Sequence, residues 1–167
     1  MYELIKANQL DLMLILCGAC GILVLLLINT RFLSRRRKAV LILMEVMAVL
    51  LLWSDRLTYI YTGDTSHTGY IMVRLSNFLV FFLTSGMVLG FNMYLADLLN
   101  IEGGLEVMPK RLHLTRVLAL TGMALAVISA FTDLYYYFDE ANRYHRGNGF
   151  LIAYIIPLLG PILQYTV

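Results

Sequence analysis

Five ionisable side chains fall inside or at the edge of long apolar stretches of this sequence: Glu45, Asp55, Arg56, Arg74 and Asp133. Holding an ionised group in hydrocarbon costs at least about 2.5–3.5 kcal/mol, so each needs an opposite charge, a hydrogen-bonding partner or water. The chemistry open to such groups is recognition of a charged ligand, passage of a proton or ion, or a buried ion pair between helices. Counted from the loop boundaries, Asp55, Arg56, Arg74, Asn77 and Asp133 share one half of the apolar slab and are expected to converge on one polar pocket. A salt bridge from Arg74 to Asp55 or Asp133 is compatible with that pocket and would by itself lock three helices together. Glu45 lies deeper, and Arg56 at i+11 returns to nearly the same helical face. Glu45 suits a proton relay or, more simply, a hydrogen-bonded packing carboxyl. Asp139, Arg143 and Tyr144 belong to a dense run of aromatics, carboxylates, arginines and one histidine over 133–147. Such a run suits a cap over a small ligand or an anchor among lipid headgroups.

Arg74, Asn77, Phe81, Ser85 and Asn92 follow at helical spacing and form one face, with Asp97 beyond it and off that face. Asn77 and Asn92 are expected to hydrogen-bond neighbouring helices, and a polar face of this length can also pass a shift from end to end. Cys17-Gly-Ala-Cys-Gly21 has the spacing of a dithiol motif, but it sits within an apolar run, where small-residue helix packing explains it better. No His-Glu-x-x-His helix, Gly-x-Ser-x-Gly elbow, phosphate-binding glycine loop or metal-ligand cluster occurs, and His67, His113 and His145 are isolated. Catalysis within these residues is not expected, nor is a metal or other cofactor.

The elements that must hold these groups are set by hydropathy. Of 167 residues 60% are hydrophobic and 14% charged, with a mean hydropathy of +0.75, against about 45–50% apolar and 25% charged for a soluble domain. Residues 12–29, 39–52 and 117–132 carry at most one charge each, which excludes a soluble enzyme, a disordered tail and a nucleic-acid binder. Five stretches are long enough to cross about 30 Å of hydrocarbon: residues 12–30, 39–61, 70–98, 112–137 and 149–167. None alternates with period two, so the expected fold is an all-α membrane protein, an antiparallel bundle of five transmembrane helices. Pro157, Gly160 and Pro161 should bend the last helix, with Gln164 satisfying a freed backbone group. Lys6 is flanked by Glu3 and Asp11 and no cleavage site follows Leu27, so the first span is expected to stay in the mature protein.

Orientation follows the basic residues. Residues 31–38 hold five and no acid, and Lys110, Arg111 and Arg116 follow the third span. The positive-inside rule puts these connections in the cytoplasm, the amino terminus outside and the carboxyl end inside. Tyrosines flanking residues 62–69 and crowding 135–144 fit an outer aromatic belt. The stop at Gln164-Tyr-Thr-Val167, with no basic residues after the fifth span, suggests a chain continuing into further spans and a cytoplasmic domain.

Four motifs carry a resemblance: Met-Glu-x-x-x-x-x-Leu-Leu-x-x-Asp-Arg over 44–56, Tyr-x-Gly-Asp-Thr over 61–65, Gly-Tyr-x-Met-Val-Arg-x-Ser-Asn-Phe over 69–78, and Tyr-Tyr-Phe-Asp-x-x-Asn-x-Tyr-x-Arg-Gly over 136–147. The whole chain resembles the amino-terminal multi-pass membrane region of Firmicute signalling proteins, most often followed by a GGDEF diguanylate cyclase domain and sometimes by a histidine kinase. The resemblance implies about seven spans ahead of a cytoplasmic output domain; five are seen here and no GGDEF motif, so cyclase activity is not assigned to these residues. The expected role is a sensory input module in a bacterial cell membrane, binding a small-molecule or lipid-derived cue and working as a homodimer. A transporter using Glu45 and Asp55 as ion sites is the first alternative, although no inverted repeat supports it. A membrane anchor and dimerisation scaffold is the second.

Overall fold

In a computed structural model, residues 2–104 and 107–166 are described. The expected end of the fifth span at Val167, and residues 105 and 106 of the basic third connection, lie outside them. The chain folds as α1 (Tyr2–Asn29), α2 (Arg35–Tyr61), α3 (His67–Ile101), α4 (Lys110–Phe131), strands β1 (Tyr136–Phe138) and β2 (Tyr144–Arg146), and α5 (Phe150–Tyr165). Ser34 and Ser66 start two of the helices by accepting the otherwise orphaned amides of Arg37 at 3.3 Å and Gly69 at 3.0 Å.

Three of the helices are long and apolar enough to cross a membrane: α1 over Asn8–Asn29, α3, and α4. Helix α2, at 27 residues, is about 40 Å long, but Glu45, Asp55 and Arg56 interrupt its apolar surface. Helix α5 has 16 residues and two internal prolines, so it reaches only about 24 Å.

Neighbours in sequence pack antiparallel. Between α1 and α2, residue numbers fall on one helix as they rise on the other: Gln9 meets Tyr59, Leu10 meets Arg56 and Cys17 meets Val49. Helix α3 is the centre, packed against α2, α4 and α5, whereas α1 packs on α2. Close approach to α3 requires small residues. A Cβ on Gly122 would come within 2.6 Å of Ser85 Oγ, and one on Gly160 within 2.5 Å of Val88. Two buried amides complete the junctions. Asn92 Nδ2 donates to Leu112 O of α4 at 2.9 Å, as expected, and Gln164 Nε2 donates to Val88 O of α3 at 3.0 Å. Gln164 therefore bonds a neighbouring helix rather than a group freed by the prolines of its own. Asn77 also departs from expectation, since its Nδ2 turns back to Val73 O at 2.8 Å within α3.

The Cys17–Gly21 segment is corrected as well. Both cysteines are free, with Cys17 Sγ donating to Val49 O at 3.8 Å and Cys20 lying beside Glu45 of α2. The glycines Gly18 and Gly21 meet nothing. The side chains, not the gaps left by glycine, make the contact. Glu45 is thus a half-buried carboxyl at the α1–α2 seam.

The all-α expectation fails at one place. The fourth span was expected to run to Tyr137, but α4 stops at Phe131 and a two-stranded antiparallel hairpin follows, pairing Tyr136 with Arg146 and Phe138 with Tyr144. Ser129 Oγ takes the amide of Tyr135 at 3.0 Å, and the carbonyls of Tyr135 and Leu134 receive the amides of Gly147 and Gly149. The aromatic run 135–138 fits the pleated, half-buried surface of a strand. Beneath it Tyr135, Tyr136 and Ala126 form a buried cluster with Phe81 and Leu134.

Candidate functional site

The hairpin lies at the end of the bundle opposite the basic residues 35–38, and its tip is held by one residue. Asn142 is 3% exposed and adopts φ +54°, a left-handed conformation that asparagine tolerates better than most residues. Its amide donates to Asp139 O at 3.0 Å and its carbonyl accepts from Gly63 at 3.1 Å. Its Nδ2 donates to Asp64 O at 2.8 Å, and its Oδ1 accepts from Arg74 Nη1 at 2.8 Å. The side chain of one hairpin residue therefore ties the α2–α3 connection to the first turns of α3. The Arg74 guanidinium is further held over the ring of Tyr70 at 3.5 Å and that of Phe138 at 4.7 Å.

The expected pairing of Arg74 with Asp55 or Asp133 does not form: among the described residues neither carboxylate bridges it. The reason is competition. A neutral amide and two aromatic faces already occupy the guanidinium, so no carboxylate is needed to hold it.

The expected single pocket is also divided. One cavity of about 590 Å³ takes Arg74 and Asp133 with Phe78, Tyr136, Tyr137 and Phe138. A second, of about 500 Å³, takes Asp55, Asn77, Phe81, Tyr144, Arg146 and Tyr154 among its walls. The hairpin separates them, β1 facing the first and β2 the second. Arg74 and Asp139 also border a smaller hollow of about 300 Å³ at the hairpin tip. Arg56 joins none of these, because its Nη1 donates to Leu10 O of α1 at 3.1 Å. Arg143 lies exposed on the turn, outside all three.

Burial shapes the phenols in the wall. Tyr136 and Tyr144 are each pushed up to about 12, chiefly by desolvation, opposed at Tyr136 by the Arg74 charge and at Tyr144 by Arg146. Both therefore act as neutral donors or acceptors at ordinary pH. On the open side of the hairpin Asp139 Oδ2 meets His145 Nε2 at 3.0 Å, and this contact holds the Asp139 carboxyl below its usual range, helped by the amide of Arg143.

At the opposite end Asp97 is 5% exposed and takes Arg37 Nε at 3.1 Å and Arg36 Nε at 3.4 Å, while Arg37 Nη1 reaches Glu102 at 2.5 Å. A carboxylate in the last turns of a helix opposes the helix dipole, and the two guanidiniums offset that. Sequence reasoning placed Asp97 at this end but missed its partners, and it did not single out Asn142 or Arg146 as site residues although both stand in the 136–147 motif. The signal for the hairpin was present: aromatic residues on both sides of Asp-Glu-Ala-Asn, with turn-forming residues at its ends.

Among the described residues no cluster of metal-ligating side chains forms. No protein-family model, curated protein or solved structure matches the chain.

Proposed function

We propose that this chain is a membrane-embedded input module of a bacterial signalling protein, with the hairpin end outward, binding a small ligand there and passing its occupancy to a cytoplasmic output domain. The observation that carries the reading is the cavity of about 500 Å³, within the usual range for small-molecule sites. Its wall holds a half-buried carboxylate, Asp55, that makes no salt bridge among the described residues. A carboxylate kept away from bulk water without a partner is costly as a structural element and useful as a recognition group. Helix α3 gives the route inward, since it carries Arg74 and Asn77 near the hairpin and Asp97 near the basic end. A differential affinity of about 1–3 kcal/mol between two arrangements of the bundle is enough for regulation. Helices α1 and α3, with their exposed apolar sides, supply the contact with lipid and with a second copy of the chain.

The test is output per folded molecule in the intact signalling protein. Asn77→Ala and Tyr144→Ala should remove the response while leaving resting output and folded protein nearly unchanged, whereas Arg143→Ala, outside the cavities, should leave both intact. Loss of output only in proportion to lost protein would make the bundle a scaffold, and substrate flux through the purified protein in liposomes would make it a transporter.

A further inference from the structure

We infer that the cavity walled by β2 binds a small zwitterion, taking its ammonium group between Asp55, Asn77 and the tyrosine rings and its anionic group at Arg146. This rests on the ligand-binding reading above and adds the class of ligand. The two charges of the cavity are of opposite sign and do not neutralise one another. Asp55 has no salt bridge among the described residues, and neither has Arg146, whose guanidinium instead lies over the Phe150 ring at 4.5 Å. Asn77 donates one Nδ2 hydrogen to Val73 O, and its amide lines the same cavity as Asp55. The Asp55 carboxylate, an acceptor only when ionised, suits an N–H donor or a cation at this end and disfavours a second anion.

The remaining wall favours the same charge. Tyr59, Tyr144 and Tyr154 line the cavity together with Asp55, and aromatic faces attract an ammonium most strongly where water is scarce. Burial keeps Tyr144 uncharged, so its ring does not add a second anion. A ligand carrying only a cation would leave Arg146 unmatched, and one carrying only an anion would leave Asp55 unmatched. A zwitterion satisfies both.

The polarity of the site is also fixed. Asp55 lies six residues before the end of α2 and Asn77 ten residues into α3, about 9 and 15 Å below the helix ends. Arg146 is on the hairpin, at the mouth. The ammonium therefore sits deeper and the anion nearer the mouth. That arrangement suits a free amino-carboxylate entering from the hairpin end. A phospholipid headgroup, whose phosphate is anchored by acyl chains on the membrane side, would have to enter sideways.

The experiment uses the whole chain purified into phosphatidylglycerol nanodiscs, which supply no zwitterionic lipid. Glycine, 4-aminobutyrate and glycine betaine are the free probes, with propylamine and propionate as single-charge controls, and binding is read by calorimetry and thermal shift. At least one zwitterion should bind saturably, about tenfold or more tighter than either single-charge control, as expected of charged hydrogen bonds. Asp55→Asn and Arg146→Gln should each weaken it about tenfold or more. Arg146 is exposed on the hairpin, so its replacement tests the site even if Asp55→Asn misfolds, and Tyr154→Leu provides a second folded control with reduced affinity. If no free zwitterion binds but phosphatidylethanolamine nanodiscs stabilise the protein in an Asp55- and Arg146-dependent manner, the zwitterion is a headgroup and the charge assignment stands. Equal binding of the single-charge controls, insensitivity to both substitutions, or no binding in either arm overturns it. Binding that passes these tests while Asn77→Ala leaves signalling untouched would sink the sensor reading alone.

Discussion

At the scale of single residues, Asn142 holds the hairpin end together. It bridges elements more than sixty positions apart, as in its bond to Arg74, and it does so from a turn whose left-handed geometry only a folded hairpin sets up. This is why the sequence assigned Arg74 to a carboxylate: charge complementarity is visible in a string of letters, whereas a neutral amide brought in by a turn is not. Asp55 and Asn77 were legible together because depth in an apolar span can be counted from its ends, whereas Tyr144 was read only as part of the aromatic and charged run over 133–147. The corrected pairing makes a direct prediction. In a double-mutant cycle by thermal unfolding in detergent, Arg74→Ala and Asn142→Ala should be coupled by about 1–3 kcal/mol, while Arg74→Ala with Asp55→Asn should be additive. The reverse pattern would restore the ion pair. The hairpin tyrosines make a second prediction. A raised pKa means that the folded state favours the neutral phenol, so stability is complete below about pH 10, the value for an exposed tyrosine, and is lost as the pH climbs beyond it. Since Tyr136 and Tyr144 stand at about 12, the near-ultraviolet signal of the hairpin should survive to about pH 10 and disappear between there and 12. The most alkaline step in the tyrosine titration should vanish in Tyr136→Phe with Tyr144→Phe; a curve unchanged by that pair would refute the burial argument.

At the scale of elements, the helices were legible from their apolar lengths, with most ends misplaced by a few residues and the start of α1, at Tyr2 rather than Leu12, by ten. The last turns attributed to the fourth span were not legible as strand, since strand formation over Tyr136–Phe138 depends on pairing with residues 144–146. Small residues were legible as helix-packing material but not assignable to a contact. The Cys17–Gly21 segment looks like a packing motif and offers its cysteines, while Gly122, unremarkable in sequence, and Gly160, read there only as part of a bend, mark the close approaches to α3. Gly122→Val or Gly160→Val should therefore destabilise the bundle by about 1–3 kcal/mol or more through overpacking, and Gly18→Val should change stability little, since nothing lies within 4 Å of it. Thermal unfolding of the three variants in one detergent separates these outcomes, and a large loss at Gly18 would reveal a partner for that face.

At the scale of the whole molecule, the sequence supports a chain with its basic end in the cytoplasm, and that orientation is open to a simple measurement. With Cys17 and Cys20 replaced by serine, a cysteine at Ser66 or Asn148 should react with an impermeant thiol reagent on whole cells and one at Ser34 should not. All three positions are exposed, so labelling at Ser34 alone would invert the molecule. Within that frame the two ends differ in kind. The basic end carries the Asp97–Arg37–Glu102 chain of charges beside one cavity of about 240 Å³, while the hairpin end is hollow on both sides of a single strand pair. That last feature has a thermodynamic corollary. Strand β1 bounds one hollow and β2 the other, so an occupant that enlarges its own chamber by displacing the hairpin does so at the expense of the neighbouring one. Were both occupied in this way, reciprocity would require each occupant to weaken the other by the same factor.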